Sequence, residues 1–81
     1  MAYVYILFSE KLDRYYVGSC DNIDERLRRH NAGHSISTKG GMPWIKVYQK
    51  ELASKGDAMK EEYRIKRQKS RKYIEELIKT E

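Results

Sequence analysis

The apolar and polar positions of the chain fall into six short patterns, three with a period of two or a dense apolar run and three with helical spacing. Residues 3–8 (Tyr-Val-Tyr-Ile-Leu-Phe) are a run of aromatic and β-branched side chains and predict a strand. Arg14 to Ser19 predicts a second strand. The polar link from Ser9 to Asp13 suits a hairpin, so this pair is expected to be antiparallel. Trp44 to Gln49, entered through Pro43, predicts a third strand. Alternation would set Trp44, Lys46 and Tyr48 on one face and Ile45 and Val47 on the other.

The helical patterns begin with Ile23, Leu27 and His30 at i, i+4 and i+7. Asp21 or Asn22 can cap this helix, with Asp24 or Glu25 completing a capping box, and Gly33 closes it. Ser54 can cap a second helix in which Ala58, Glu62 and Ile65 share a face, with Met59 beside them. Ser70 can cap a third, whose apolar stripe is Tyr73, Ile74, Leu77 and Ile78. Residues 33–43 are rich in Gly, Ser and Thr and end in Pro43, which predicts a long loop of the kind that carries function in small domains. The order is β-β-α-β-α-α. It predicts an α+β fold: a small three-stranded sheet, antiparallel or mixed, flanked by helices.

Composition narrows the picture. With 81 residues, 40% apolar and 36% charged, residues 1–81 are expected to form one small globular domain with a thin core. Cys20 is the only cysteine, so no intramolecular disulfide is available, and a lone thiol fits a reducing, cytoplasmic setting. Cys20, His30 and His34 lack the spacing of a zinc site. The apolar start is far shorter than the ~20 residues a membrane helix needs, and no membrane association is expected.

Charge changes it further. The net charge is +5, and most of the excess lies after residue 41, where eleven basic residues face seven acidic ones. Seven of them, Lys60, Arg64, Lys66, Arg67, Lys69, Arg71 and Lys72, crowd into one stretch. A stripe of this kind suits a polyanion, nucleic acid above all, although a charge run alone is more often a solvated helix face.

Two side chains stand out against this background. Glu62 shares a helix face with Ala58 and Ile65, where an ionised carboxylate needs a cation or hydrogen-bond donors. Arg26 adjoins Leu27 and lies one turn before His30, at the inner face of the first helix. The two could pair with each other, or each could serve a ligand, Glu62 as a metal ligand among them. Of the seven tyrosines, Tyr5, Tyr15 and Tyr16 lie on the first hairpin. Their number follows from β-propensity, but phenols can also position a water or a phosphate.

Taken in order, Tyr3-Val4-Tyr5, Tyr16-Val17-Gly18, Arg26, His30 and Glu62 resemble the GIY-YIG nuclease superfamily. The likeness is to its small single-domain bacterial branch, related to the N-terminal nuclease domain of the excision-repair protein UvrC. It covers roughly residues 2 to 75. Tyr3 stands where the first motif has its glycine, and Val17 replaces isoleucine in the second.

The resemblance implies a three-stranded antiparallel sheet and hydrolysis of DNA phosphodiesters with one divalent metal, Mg²⁺ or Mn²⁺. It implies Glu62 as metal ligand, Arg26 on the scissile phosphate, and Tyr5, Tyr16 and His30 around the attacking water, with either Tyr5 or His30 as base. A free phenol has a pKa near 10, so Tyr5 would need that value lowered to act so at neutral pH. Arg26, Lys60, Arg64, Lys66, Arg67 and Lys69 would contact nucleic acid, DNA rather than RNA, through its phosphates. The expected activity is a structure-selective endonuclease linked to repair or recombination, with a homodimer or a partner protein as sources of specificity. The competing expectations are a nucleic-acid-binding module of the same fold that cleaves little or nothing, and a small domain that recruits a partner. Asn31 and Thr38 are expected as hydrogen-bonding positions, Trp44 and Cys20 as structural ones, and Gly18 at a close approach or a strand-end kink.

Overall fold

The structure is a computed structural model that describes residues 1–33 and 38–80. Residues 34–37, the middle of the predicted loop, lie outside the described residues. Three strands, β1 (Ala2–Ser9), β2 (Arg14–Cys20) and β3 (Trp44–Leu52), form one antiparallel sheet in the order β2-β1-β3. Three α-helices accompany them: α1 (Ile23–Asn31), α2 (Lys55–Arg67) and α3 (Arg71–Lys79). The chain is therefore α+β with the predicted order β-β-α-β-α-α.

β1 is the central strand, and helices cover it on both faces. That is why its sequence is a continuous apolar run rather than an alternation. On one face Val4 and Ile6 pack with Val17, Tyr48 and Ile65 of α2, closed over by Tyr73, Ile74, Leu77 and Ile78 of α3. On the other, Tyr5 and Leu7 pack with Cys20, Trp44 and Ile23 of α1, with Tyr16 and Leu27 at the margin. The sheet is thus sandwiched, with α1 on one side and α2 and α3 on the other. The two outer strands each present an open edge.

Each helix starts on the signal its sequence carries. Asn22, rather than Asp21, accepts from the Glu25 N–H, and Ser54 and Ser70 accept from the N–H groups of Asp57 and Tyr73. Gly33 ends the first helix with φ of +77°, a left-handed conformation that glycine adopts without strain.

Two expectations about faces need correction. Trp44 and Tyr48 do not share a face: Trp44 joins the α1-side core and Tyr48 the opposite one. The register explains this. Ile6 opposes Tyr48 but Leu7 opposes Lys46, so Val47 is an extra residue, a β-bulge that inverts the alternation partway along β3. Met59 does not sit with the buried face of α2. It is 56% exposed, because the inward stripe runs through Ala58 and Ile65.

Candidate active site

The first part of the site is the Tyr5 ring. Period two directs Tyr5 to the α1 side of the sheet, where it is only 1% exposed. Directly opposite it in the register is Gly18. A Cβ at Gly18 would fall 2.5 Å from the Tyr5 hydroxyl and 2.7 Å from its Cζ. The glycine of the second motif is there so that the tyrosine of the first can lie across the β2 backbone, the close-approach role for a strand glycine.

The Tyr5 hydroxyl and His30 Nε2 are 3.2 Å apart, and His30 Nδ1 lies 2.8 Å from Thr38 Oγ1. The carbonyl of Thr38 in turn accepts from Trp44 Nε1 at 2.7 Å. Asn31 reinforces this wall, receiving the Trp44 N–H and donating to the Trp44 carbonyl at 3.1 Å. These polar groups are buried as a connected chain, the condition under which buried polar groups are tolerated. Burial pushes the Tyr5 phenol well above its ordinary value, and the neighbouring Tyr16 adds to this while the Arg26 charge opposes it. Burial also lowers the His30 pKa, helped by Arg26 and Arg29, so the imidazole is neutral at pH 7.

In front of this buried chain stand the half-exposed groups. Tyr16 sets its ring edge-on to His30 at 4.9 Å between centroids, and 6.4 Å from Tyr5. Arg26 is half-buried on α1. Its charge opposes the rise of the Tyr5 and Cys20 pKa values and helps to lower that of His30. Among the described residues it has no carboxylate within 4.0 Å.

Glu62 approaches from the other side of the sheet. Its side chain is 23% exposed on α2. Oε1 accepts from the Ser19 hydroxyl at 2.7 Å, and Oε2 pairs with Lys66 Nζ at 2.6 Å. Its ion pair is with Lys66 rather than with Arg26. Lys66 also lies 6.0 Å from the centre of the Tyr16 ring. Tyr16 and Ser19 are on opposite faces of β2, so the open edge of that strand is where the two halves meet. Tyr5, Tyr16 and His30 gather on the α1 side, and Lys66, paired with Glu62 on the α2 side, is the group that comes near the Tyr16 ring. The negative charge of Glu62 is close enough to act on the Tyr5 phenol.

Sequence reasoning missed Ser19 and the bridging position of Lys66. Alternation from Val17 puts Ser19 on the face that α2 covers, which was the available signal. Of the predicted basic contacts, Arg64 is tied to Glu61 and to the Tyr73 hydroxyl, whereas Lys60, Arg67 and Lys69 are exposed and outside any ion pair among the described residues. Among the described residues no group of three or more His, Cys, Asp or Glu could hold a metal ion, and no helix is long and apolar enough to cross a membrane.

The family pattern described as the GIY-YIG catalytic domain matches residues 1–74. A UPF0213 protein of Staphylococcus haemolyticus is 42% identical over 78 residues, which is 91% of this chain and 94% of that protein. A UPF0213 protein of Oceanobacillus iheyensis is 40% identical over 65 residues, 79% of this chain and 74% of its own. The solution NMR structure of a UPF0213 protein from Bacillus halodurans superimposes with a TM-score of 0.63 at 32% identity, covering 100% of this chain and 86% of that one.

Proposed function

The chain belongs to the GIY-YIG catalytic-domain family, a nuclease family, and on that premise we propose that it is a metal-dependent endonuclease that hydrolyses phosphodiester bonds in DNA. One observation carries the proposal: Glu62 is partly exposed beside Ser19 and Lys66, Lys66 faces the Tyr16 ring, and Arg26 is half-buried with no carboxylate within 4.0 Å among the described residues. Anion, cation and phenol in that arrangement are what a phosphate diester under attack by water requires.

The roles follow from exposure. Arg26 binds the scissile phosphate through its planar fork and offsets the charge that builds on it. Tyr16 reaches the same phosphate or the water. Tyr5 and His30 are too deep to touch substrate. The raised pKa of Tyr5 makes it a hydrogen-bond donor and not a base, and both His30 nitrogens are engaged. They act as positioning residues that fix the Tyr16 ring. The water oxygen forms a new bond to phosphorus, the bond to the leaving oxygen breaks, and that oxygen takes up a proton.

Family members generally use a divalent metal, and the donor set here fits a hard ion such as Mg²⁺ or Mn²⁺. Glu62 supplies one carboxylate next to the Ser19 hydroxyl, and such an ion keeps several waters and takes further oxygens from substrate. The ion would supply charge stabilisation at the phosphate. Lys66 pairs with the same carboxylate from one turn along α2. The exposed cations of α2 and its C-terminal corner hold phosphates without reading bases, so selection by DNA shape in cytoplasmic repair or recombination belongs to the same proposal.

A second reading, a DNA-binding module that does not cleave, is favoured by one feature: both Glu62 oxygens already have partners. Incubation with branched, nicked, single-stranded and duplex DNA, with Mg²⁺, Mn²⁺ or a chelator, separates the two. We expect cleavage by wild type with metal, none by Glu62→Gln, and similar DNA affinity for both. Identical products from wild type and Glu62→Gln on every substrate would overturn the nuclease reading.

A further inference from the structure

The open edge of β2 continues beyond the candidate site as a groove that no part of the proposed chemistry uses. Two adjoining recesses, of about 270 and 310 Å³, share Tyr15, Lys69, Ser70 and Ile74. One end opens at Tyr16 and Lys66, which also belong to the candidate site. The other is closed off by Arg71, which binds the backbone carbonyl and the carboxylate of Asp13. The floor is apolar, made by the half-buried Tyr15, Tyr16 and Ile74 over the buried Val17 and Ile65, while the exposed Lys66, Lys69 and Arg14 form a cationic rim.

We infer that this groove holds a single-stranded DNA segment adjoining the scissile bond, so that the substrate carries an unpaired strand there. The inference rests on the nuclease reading for the position of that bond. A cationic rim takes phosphates and the Tyr15 and Tyr16 rings take the faces of unpaired bases, the combination used for single strands. In a duplex the bases are stacked and paired, and the floor would stay empty. The outer edge of β2, unpaired within the sheet, adds backbone donors along the same path. From Arg14 to Val17 the strand runs about 10 Å, enough for about one to two nucleotides of an extended single strand. Lys69 has a left-handed backbone with φ of +48° between α2 and α3, and its charge stands on the groove rim.

Lys69 makes the test clean, because Asn tolerates the left-handed conformation and keeps the fold while removing the charge. Lys79→Asn, at the exposed end of α3, removes the same charge away from the groove. Binding of a labelled oligothymidine of ~12 nucleotides and of a duplex of the same length is followed by fluorescence anisotropy in chelator, with folding checked by circular dichroism. Lys69→Asn should weaken single-strand binding by about fivefold or more and duplex binding by less than about twofold, with Lys79→Asn below about twofold for both. Equal losses for the two variants on the single strand would overturn the groove. The two readings fail separately. If cleavage depends on Glu62 while Lys69→Asn matches Lys79→Asn, the groove alone is wrong. If wild type cleaves nothing while Lys69→Asn selectively loses the single strand, the groove stands and the nuclease reading falls.

Discussion

Gly18 and Tyr5 act as one unit because the pairing of β1 with β2, not sequence proximity, brings them together. Adding a methyl group at Gly18 forces the Tyr5 ring out of its seat, an overpacking that costs about 1–3 kcal/mol. Gly18→Ala should therefore lower the urea midpoint and, by shifting Tyr5, disturb His30 as well. His30 gives a second prediction at this scale. Its pKa in the folded chain lies below its ordinary 6.5, so the unfolded chain binds the extra proton more readily. Stability should be fully present above pH 6.5 and fall as the pH drops from there through the folded value. His30→Gln should flatten the dependence of the urea midpoint on pH over that window. Helix period marks Glu62 and Arg26, whereas Tyr5, Tyr16 and His30 stand out only through the resemblance to the nuclease family. The protonation preference of Tyr5 was not legible in the sequence, since it depends on how deeply α1 and Thr38 bury the phenol. Nor was the partner of Glu62, which is chosen by side-chain reach across a strand edge.

At the scale of elements, the joint between α1 and β3 is the least obvious from sequence. Asn31, the last residue of α1, takes both backbone groups of Trp44, the first residue of β3. Asn31→Ala leaves that N–H and C=O without their partner and should destabilise the chain by about 1–3 kcal/mol in urea unfolding. Because Trp44 also holds the Thr38 carbonyl, the same variant should impair DNA cleavage more than Asn22→Ala, which only uncaps the other end of α1. Element types and helix starts were readable in advance, since local side chains decide them: Asn22, Ser54 and Ser70 each cap the helix that follows. The bulge at Val47 was not, because it reflects how β3 meets β1 and no local signal in β3 marks it. The strands also run further than their apolar runs, to Ser9 in β1 and Leu52 in β3, where pairing rather than composition sets the end.

For the whole molecule, the +5 charge divides into cations with internal work and cations without it. Arg64 and Arg71 tie α2 and α3 to each other and to the β1–β2 turn. Lys60 and Arg67 are exposed and outside any ion pair among the described residues. Replacing Lys60 and Arg67 together by Ala should reduce the slope of log affinity for DNA against log salt by up to about 2, with little change in stability. Arg71→Ala should do the reverse. The central place of β1 has a consequence in time as well as space. It pairs with β2 across a short turn, from Ser9 with Arg14, but with β3 only after β2, α1 and the segment that follows them have been made, from Ser9 with Trp44. A local hairpin closes in about 1–10 μs, whereas pairing between distant segments must first meet the entropy of a long loop. On the ribosome, the hairpin bearing Tyr5 and Gly18 can therefore form early, yet its Val4, Ile6 and Val17 face stays uncovered until the last two helices emerge. During that interval its apolar residues are open to other chains.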